Sequence, residues 1–134
     1  MSAYMPRGLK SDGTPYKILI VDDSGTMRKI IGGMLKSEMY EVSGEASDGT
    51  KGLEMYKDLK PDVVTLDINM PNENGIDALK KILEFDSKAK IVMLTSEGQR
   101  ESVSDAVKLG AKGYIVKPPE RENVLDKINE VLNN

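Results

Sequence analysis

Apolar residues along the chain alternate between two textures: short β-branched or aliphatic runs, and longer stretches in which apolar positions recur at helical spacing. The short runs predict five strands at Lys17–Val21, Glu41–Ala46, Val63–Asp67, 90–94 and Gly113–Val116. Between the first two, Met27, Ile30, Ile31, Met34 and Leu35 follow the i, i+3, i+4, i+7, i+8 pattern and are expected on one core-facing stripe. Ile76, Leu79, Ile82 and Leu83 repeat it, as do Val124, Leu125, Ile128, Val131 and Leu132. Two sparser helical patterns cover Gly49–Leu59, with Leu53 and Tyr56, and 99–109, with Val103, Ala106 and Val107. Strands that alternate with helices in this way predict a doubly wound α/β domain, a five-stranded parallel sheet covered by five helices. Residues 1–15 carry Gly, Pro and polar residues without periodicity and read as a flexible N-terminal leader outside the fold, leaving 16–134 as the domain.

Composition narrows the chemistry. A chain of 134 residues suits one domain that needs no disulfide or metal staple. It has neither Cys nor His, which removes disulfides, thiolate and imidazole metal ligands, and every triad built on those side chains. With 19 basic against 22 acidic residues, the net charge of −3 argues against nucleic-acid binding through phosphate neutralisation. The apolar runs are too short to span a bilayer and no signal-peptide core precedes them, so no membrane association and a cytoplasmic location are expected.

In an open parallel sheet the functional crevice lies at the carboxyl ends of the strands. Here the first strand runs into Asp22 and Asp23, the third ends on Asp67, the fourth runs into Thr95 and the fifth into Lys117. The second ends in Ala46, Ser47 and Asp48, with no comparable chemistry. Three carboxylates brought together repel one another by several kcal/mol in a partly desolvated cleft unless a cation joins them. Oxygen-only ligands point to Mg²⁺; a solvated acidic cleft without metal is the plainer alternative. Lys117 beside a metal approaches charge balance only when an anion is also present, and a phosphoryl group is such an anion. Asp67 at a strand tip can then act as the nucleophile on phosphorus, giving an acyl phosphate, with Lys117 on the equatorial oxygens and the Thr95 hydroxyl on another. Tyr114, three residues before Lys117, points to the opposite face and on its own reads as a half-buried strand aromatic.

The runs Ile-Leu-Ile-Val-Asp-Asp (18–23), Val-Val-Thr-Leu-Asp-Ile-Asn-Met-Pro (63–71), Ile-Val-Met-Leu-Thr-Ser (91–96) and Gly-Tyr-Ile-Val-Lys-Pro (113–118) together resemble the receiver domain of two-component response regulators. The resemblance extends over about residues 17–133 and implies the flavodoxin-like (βα)5 fold. It implies that Asp67 accepts phosphate from a histidine kinase, and that Asp23, Asp67 and the backbone carbonyl of Asn69 bind Mg²⁺ directly while Asp22 holds it through water. It makes Thr95 and Tyr114 a coupled switch pair, places Lys117 on the phosphate with a cis bond to Pro118, and assigns Asn69 and Glu97 to tuning dephosphorylation. The segments Asp67 to Pro71 and Thr95 to Gln99 are most similar to stand-alone chemotaxis receivers. That similarity implies a phosphoacceptor signalling protein rather than an enzyme, monomeric, with output by contact because the last helical pattern reaches the end of the chain. Its implied partners are a CheA-like kinase as donor, a FliM-like flagellar motor switch protein bound by the fourth helix, fifth strand and fifth helix, and a phosphatase.

Three other readings fit less well. A flavodoxin-like electron carrier needs a first loop that cradles phosphate, and Asp22 and Asp23 occupy it. A haloacid-dehalogenase-like phosphatase needs a second Asp where Asn69 stands. An ATP-dependent kinase is unsupported, since no phosphate loop of the G-x-x-x-x-G-K-[ST] form occurs. A stand-alone receiver in a phosphorelay or another non-motility pathway shares every residue named above and stays open.

Overall fold

The computed structural model describes residues 5–70 and 74–134, so residues 1–4 of the leader and Pro71 of the second motif lie outside the described residues. The elements run β1 (Lys17–Val21), α1 (Gly25–Lys36), β2 (Glu41–Ala46), α2 (Gly49–Leu59), β3 (Val63–Asp67), α3 (Gly75–Phe85), β4 (Ile91–Thr95), α4 (Arg100–Leu109), β5 (Gly113–Val116) and α5 (Arg121–Leu132). All strand pairs are parallel, in the order β2-β1-β3-β4-β5. The chain therefore leaves β1 towards one edge and returns to β3 on the other side, and the strand order reverses between β1 and β3. That reversal opens a crevice above their carboxyl ends.

Burial explains which runs are central. Every residue of β3 and β4 is buried, as parallel strands covered on both faces require, whereas the edge strands β2 and β5 keep exposed positions. Two apolar layers flank the sheet. Leu19, Val64, Leu66, Ile91 and Met93 meet Leu79 and Ile82 of α3 and Ala106 of α4 on one face, and Ile18, Ile20, Val92 and Leu94 meet α1 and α5 on the other. The starts of α1 and α2 are fixed by side-chain caps: Ser24 accepts from the Met27 amide and Asp48 from the Lys51 amide. Among the described residues no helix is long and apolar enough to cross a membrane.

Three expectations need correction. The fourth strand sits one residue later than 90–94, because the Lys90 carbonyl serves the Val64 amide at the ladder's start while Thr95 still pairs with Val116. Ile30 is 43% exposed and leaves the α1 stripe. Helix α1 turns its buried side towards Ile31, Gly32 and Leu35 and away from Ile30. Val107 is 49% exposed, since α4 meets the sheet through Ala106.

The fourth difference concerns the leader, which over residues 5–15 is packed on the domain rather than free of it. Leu9 and Pro15 form an antiparallel bridge, the Gly8 amide donates to the Glu38 carbonyl at 2.7 Å, and the Gly8 carbonyl accepts from Tyr16 at 2.8 Å. Arg7 spans the ends of two helices, with ion pairs to Glu38 (3.2 Å), Glu122 (3.0 Å) and Asp126 (2.7 Å). The last two carboxylates are largely exposed and contribute little; the pair with Glu38, whose side chain is 5% exposed, is the stronger one. No apolar periodicity marks such a segment because backbone contacts, not an apolar face, hold it.

Gly8 makes this docking possible. A Cβ there would overlap the backbone of residues 38–40. Gly8→Ala is expected to lift the segment off, lowering Tm by about 3–4 °C for a loss of roughly 1 kcal/mol. Amide exchange at Tyr16 should lose protection in the same variant; unchanged exchange and Tm would mean that residues 5–15 do not hold this position in solution.

Candidate functional site

The crevice at the β1/β3 reversal collects the acidic side chains. Val21 pairs with Leu66, which brings Asp22 and Asp67, the next residues along, to the same level. Each carboxylate is aimed by its own loop: Asp22 Oδ1 accepts from the Ser24 amide at 2.9 Å and Asp67 Oδ1 from the Asn69 amide at 3.2 Å, both turns of the Asx kind. Gly75 N–H donates to the Ile68 carbonyl at 2.8 Å, and the start of α3 lies so close that a Cβ at Gly75 would strike the Asp67 carbonyl. Ligand oxygens of Asp22, Asp23 and Asp67 all lie within 4.8 Å of one another. Asp22 and Asp67 are buried, and Asp23 is exposed at the mouth.

Lys117 enters from the end of β5. Its ammonium lies 3.1 Å from Asp22 Oδ2 and 3.2 Å from Asp67 Oδ1, and its amide donates to the Thr95 carbonyl at 2.6 Å. The Lys117–Pro118 bond is cis. Among the described residues, three carboxylates against one ammonium leave two negative charges in surplus. Burial first, and the Asp22 carboxylate second, push the Asp67 carboxyl from 3.8 up to about 6, against the opposing pull of Lys117. Burial also works against the Lys117 charge, but Asp22 and Asp67 outweigh it and hold the proton more firmly than on a free lysine.

A hard cation fits this donor set. The donors are all oxygens, they converge within reach of one ion, and Asp22 Oδ2 is buried without an aligned hydrogen bond despite the ammonium beside it. A divalent ion relieves the repulsion that raises the Asp67 carboxyl. The exposed position of Asp23 leaves water access on one side, as suits an ion that keeps part of its hydration shell.

The remaining predicted residues lie around a second feature. Thr95 is 3% exposed at the tip of β4, and its hydroxyl donates to Gln99 Oε1 at 2.9 Å, with the Ser96 carbonyl at 3.1 Å as the other acceptor. Beyond it opens a cleft of ≈ 800 Å³ between the β4–α4 loop, the first turn of α4 and β5. Glu97 lines this cleft, and so does Tyr114, which is 47% exposed. Asp22, Asp23, Asp67 and Lys117 thus converge, Asn69 joins them through its backbone, and Thr95, Glu97 and Tyr114 form a neighbouring group.

Two residues escaped the sequence reading. Arg28 donates from Nη1 to the Asp22 carbonyl at 2.7 Å and from Nε to Glu45 at 3.2 Å, fixing the acidic loop from behind. Its signal was a cation near the start of α1, where the helix dipole disfavours one and a local partner is required. Gln99 accepts from both the Thr95 hydroxyl and the Ser96 amide. A glutamine preceding a helix carries no pattern that could have marked it.

The "Response regulator receiver domain" family model matches residues 18–129. A chemotaxis protein CheY of Treponema pallidum is 52% identical over 130 residues, 96% of this chain and 90% of that protein. The CheY of Thermotoga maritima is 46% identical over 115 residues, 86% of this chain and 96% of the relative. Among solved structures, the CheX-CheY-BeF3-Mg complex from Borrelia burgdorferi superposes with a TM-score of 0.92 at 39% identity, covering 96% of this chain and 98% of its counterpart. The parallel (βα)5 topology, a family model spanning most of the sequence and relatives sharing about half of its residues place this chain in the response regulator receiver family, among its CheY-like chemotaxis members.

Proposed function

We propose that the protein is a phosphoacceptor switch in which Asp67 takes a phosphoryl group from the phosphohistidine of a CheA-like sensor kinase. One Asp67 carboxylate oxygen attacks phosphorus, the P–N bond breaks, and the electron pair stays on the departing imidazole, which takes up a proton. The observation that carries this reading is the Asp67 carboxylate itself: buried, aimed by the Asn69 amide and paired with the one ammonium of the crevice. Asp23, Asp67 and the Asn69 carbonyl, with Asp22 through water, would hold Mg²⁺, which supplies charge neutralisation on the transferring phosphoryl oxygens. Lys117 would contact the phosphoryl group, its charge secured by Asp22 until the group arrives. The Thr95 hydroxyl would move to a phosphoryl oxygen and Tyr114 would follow into the cleft, changing the surface formed by α4, β5 and α5. Asn69 and Glu97, beside the acceptor and in the cleft wall, would set how readily water reaches the acyl phosphate. The output is binding of a FliM-like flagellar motor switch protein by a cytoplasmic monomer. A phosphatase completes the cycle, and the Borrelia relative's complex with CheX makes a CheX-like protein the one to test.

The direct test is titration of an N-terminal peptide of the motor switch protein with and without Mg²⁺ and beryllofluoride. Tighter peptide binding in the activated form supports both acceptor chemistry and motor output. Activation without a peptide response would move the output to a relay or another pathway. Asp67→Asn should abolish phosphorylation by acetyl phosphate, and Thr95→Ala should keep phosphorylation while losing most of the peptide response.

The raised Asp67 carboxyl gives a second test. The folded protein holds a proton that the unfolded chain releases near pH 4, so the Asp67 contribution to stability falls as pH rises through the window from about 4 to 6. Above that window the ionised carboxylate carries its full cost. In the absence of divalent cations, Asp67→Asn should be more stable than the unsubstituted protein by on the order of 2 kcal/mol at pH 7.5, with the difference vanishing near pH 4. Added Mg²⁺ should raise the Tm of the unsubstituted protein at pH 7.5, much less so at pH 5, and scarcely at all in the variant. Equal stability of the two proteins at pH 7.5 would sink the electrostatic reading of the site.

A further inference from the structure

Gln99 stands immediately before α4, at the position whose side chain ordinarily accepts from the first amides of the helix, yet it makes no such bond. Its side-chain carbonyl turns back instead and accepts from the Thr95 hydroxyl at 2.9 Å and the Ser96 amide at 2.8 Å. The cost is an uncapped start to α4; what it holds is the orientation of a buried hydroxyl at the tip of the strand next to the acidic crevice. Thr95 has one hydroxyl proton, and it is committed to the loop. The Ser96 amide, the next donor along, is committed to the same oxygen. Next to this arrangement the cleft walled by Thr95, Gln99, Val103 and Tyr114 gives the loop room to rearrange.

From this we infer that Gln99 is a positioning residue of the switch: its Oε1 latches the Thr95 hydroxyl and the Ser96 amide in the resting arrangement, and activation requires that both bonds break. The inference rests on the receiver reading above, in which the Thr95 hydroxyl leaves for a phosphoryl oxygen. Releasing the latch frees the Gln99 side chain and both donors together, so the hydroxyl and the β4–α4 loop move as one unit. A latch that favours only the resting state sets the resting-to-active ratio, and therefore the apparent affinity for any activating ligand, without touching the acceptor carboxylate.

The test compares Gln99→Ala, Gln99→Lys and Gln99→Glu with the unsubstituted protein, reading beryllofluoride affinity in the presence of Mg²⁺ by isothermal titration. Ala and Lys cannot accept both bonds. Each is expected to tighten beryllofluoride binding roughly three- to tenfold, the worth of one to two modest hydrogen bonds removed from the resting state alone. Gln99→Glu keeps an acceptor oxygen at the same reach and is expected to stay close to the parent, a rescue that a purely structural role would not produce. The Ser96 amide resonance should move and exchange faster in the Ala and Lys variants and remain near its parent position in Glu. Unchanged beryllofluoride affinity in Ala and Lys, with normal activation of the parent, would overturn the latch while leaving the receiver reading in place. Failure of the parent to bind beryllofluoride with Mg²⁺ would overturn the receiver reading and the latch with it.

Discussion

The repulsion between the Asp22 and Asp67 carboxylates, held side by side above the reversal of strand order, is the constraint on which the site depends. The fold gives these groups little freedom to separate. Each is a buried residue at the tip of a central strand, each has one oxygen tied to an amide two residues on, and the start of α3 closes against the Asp67 carbonyl. A surface pair of acids would relax by turning towards water; here the apolar layers on both faces of β1 and β3 prevent it. Lys117 offsets part of the charge and cannot offset all of it. The remaining imbalance is a standing preference for a cation and, once the cation is present, for an anion beside it. Binding chemistry is thus written into the resting structure as electrostatic cost.

Much of this was legible in the sequence because period and position carry it. The β1 and β3 runs are mostly apolar and lead abruptly into carboxylates, and the parallel fold then dictates that those ends meet. Lys117 was legible for the same reason. Ile30 and Val107 were misread because helical spacing specifies a stripe but not its centre: the buried side centres on Ile31, Gly32 and Leu35 in α1 and on Ala106 in α4. Residues 5–15 were misread for a different reason. Their docking is made by the backbone of Gly8 and by Arg7, and neither generates periodicity. Arg28 and Gln99 escaped because each acts on a backbone group or a hydroxyl of a neighbouring element, a relation with no fixed sequence spacing.

The two halves of the crevice differ in how firmly they are built. On the β1–β3 side, Arg28 braces the Asp22 carbonyl and the α1 helix begins with a Ser24 cap. On the β4–β5 side, α4 begins without a side-chain cap and the loop before it contains Gly98 at φ 89°. The strand at that edge exposes Tyr114 and Val116 to the cleft. Thr95 is buried at the boundary between the two halves, its hydroxyl held by Gln99 and the Ser96 carbonyl.

The distribution of apolar anchoring shows which helix is free to answer. Helix α5 buries Val124, Leu125, Ile128 and Val131. Helix α4 buries Ala106 alone. An element that removes so little apolar surface from water has a low local opening free energy, since the hydrophobic term scales with the area buried. The N-terminal segment adds to this contrast by fastening the α1–α5 layer on the face away from the cleft. The β4–α4 loop and α4 are consequently held less firmly than α5 and the layer it forms with α1.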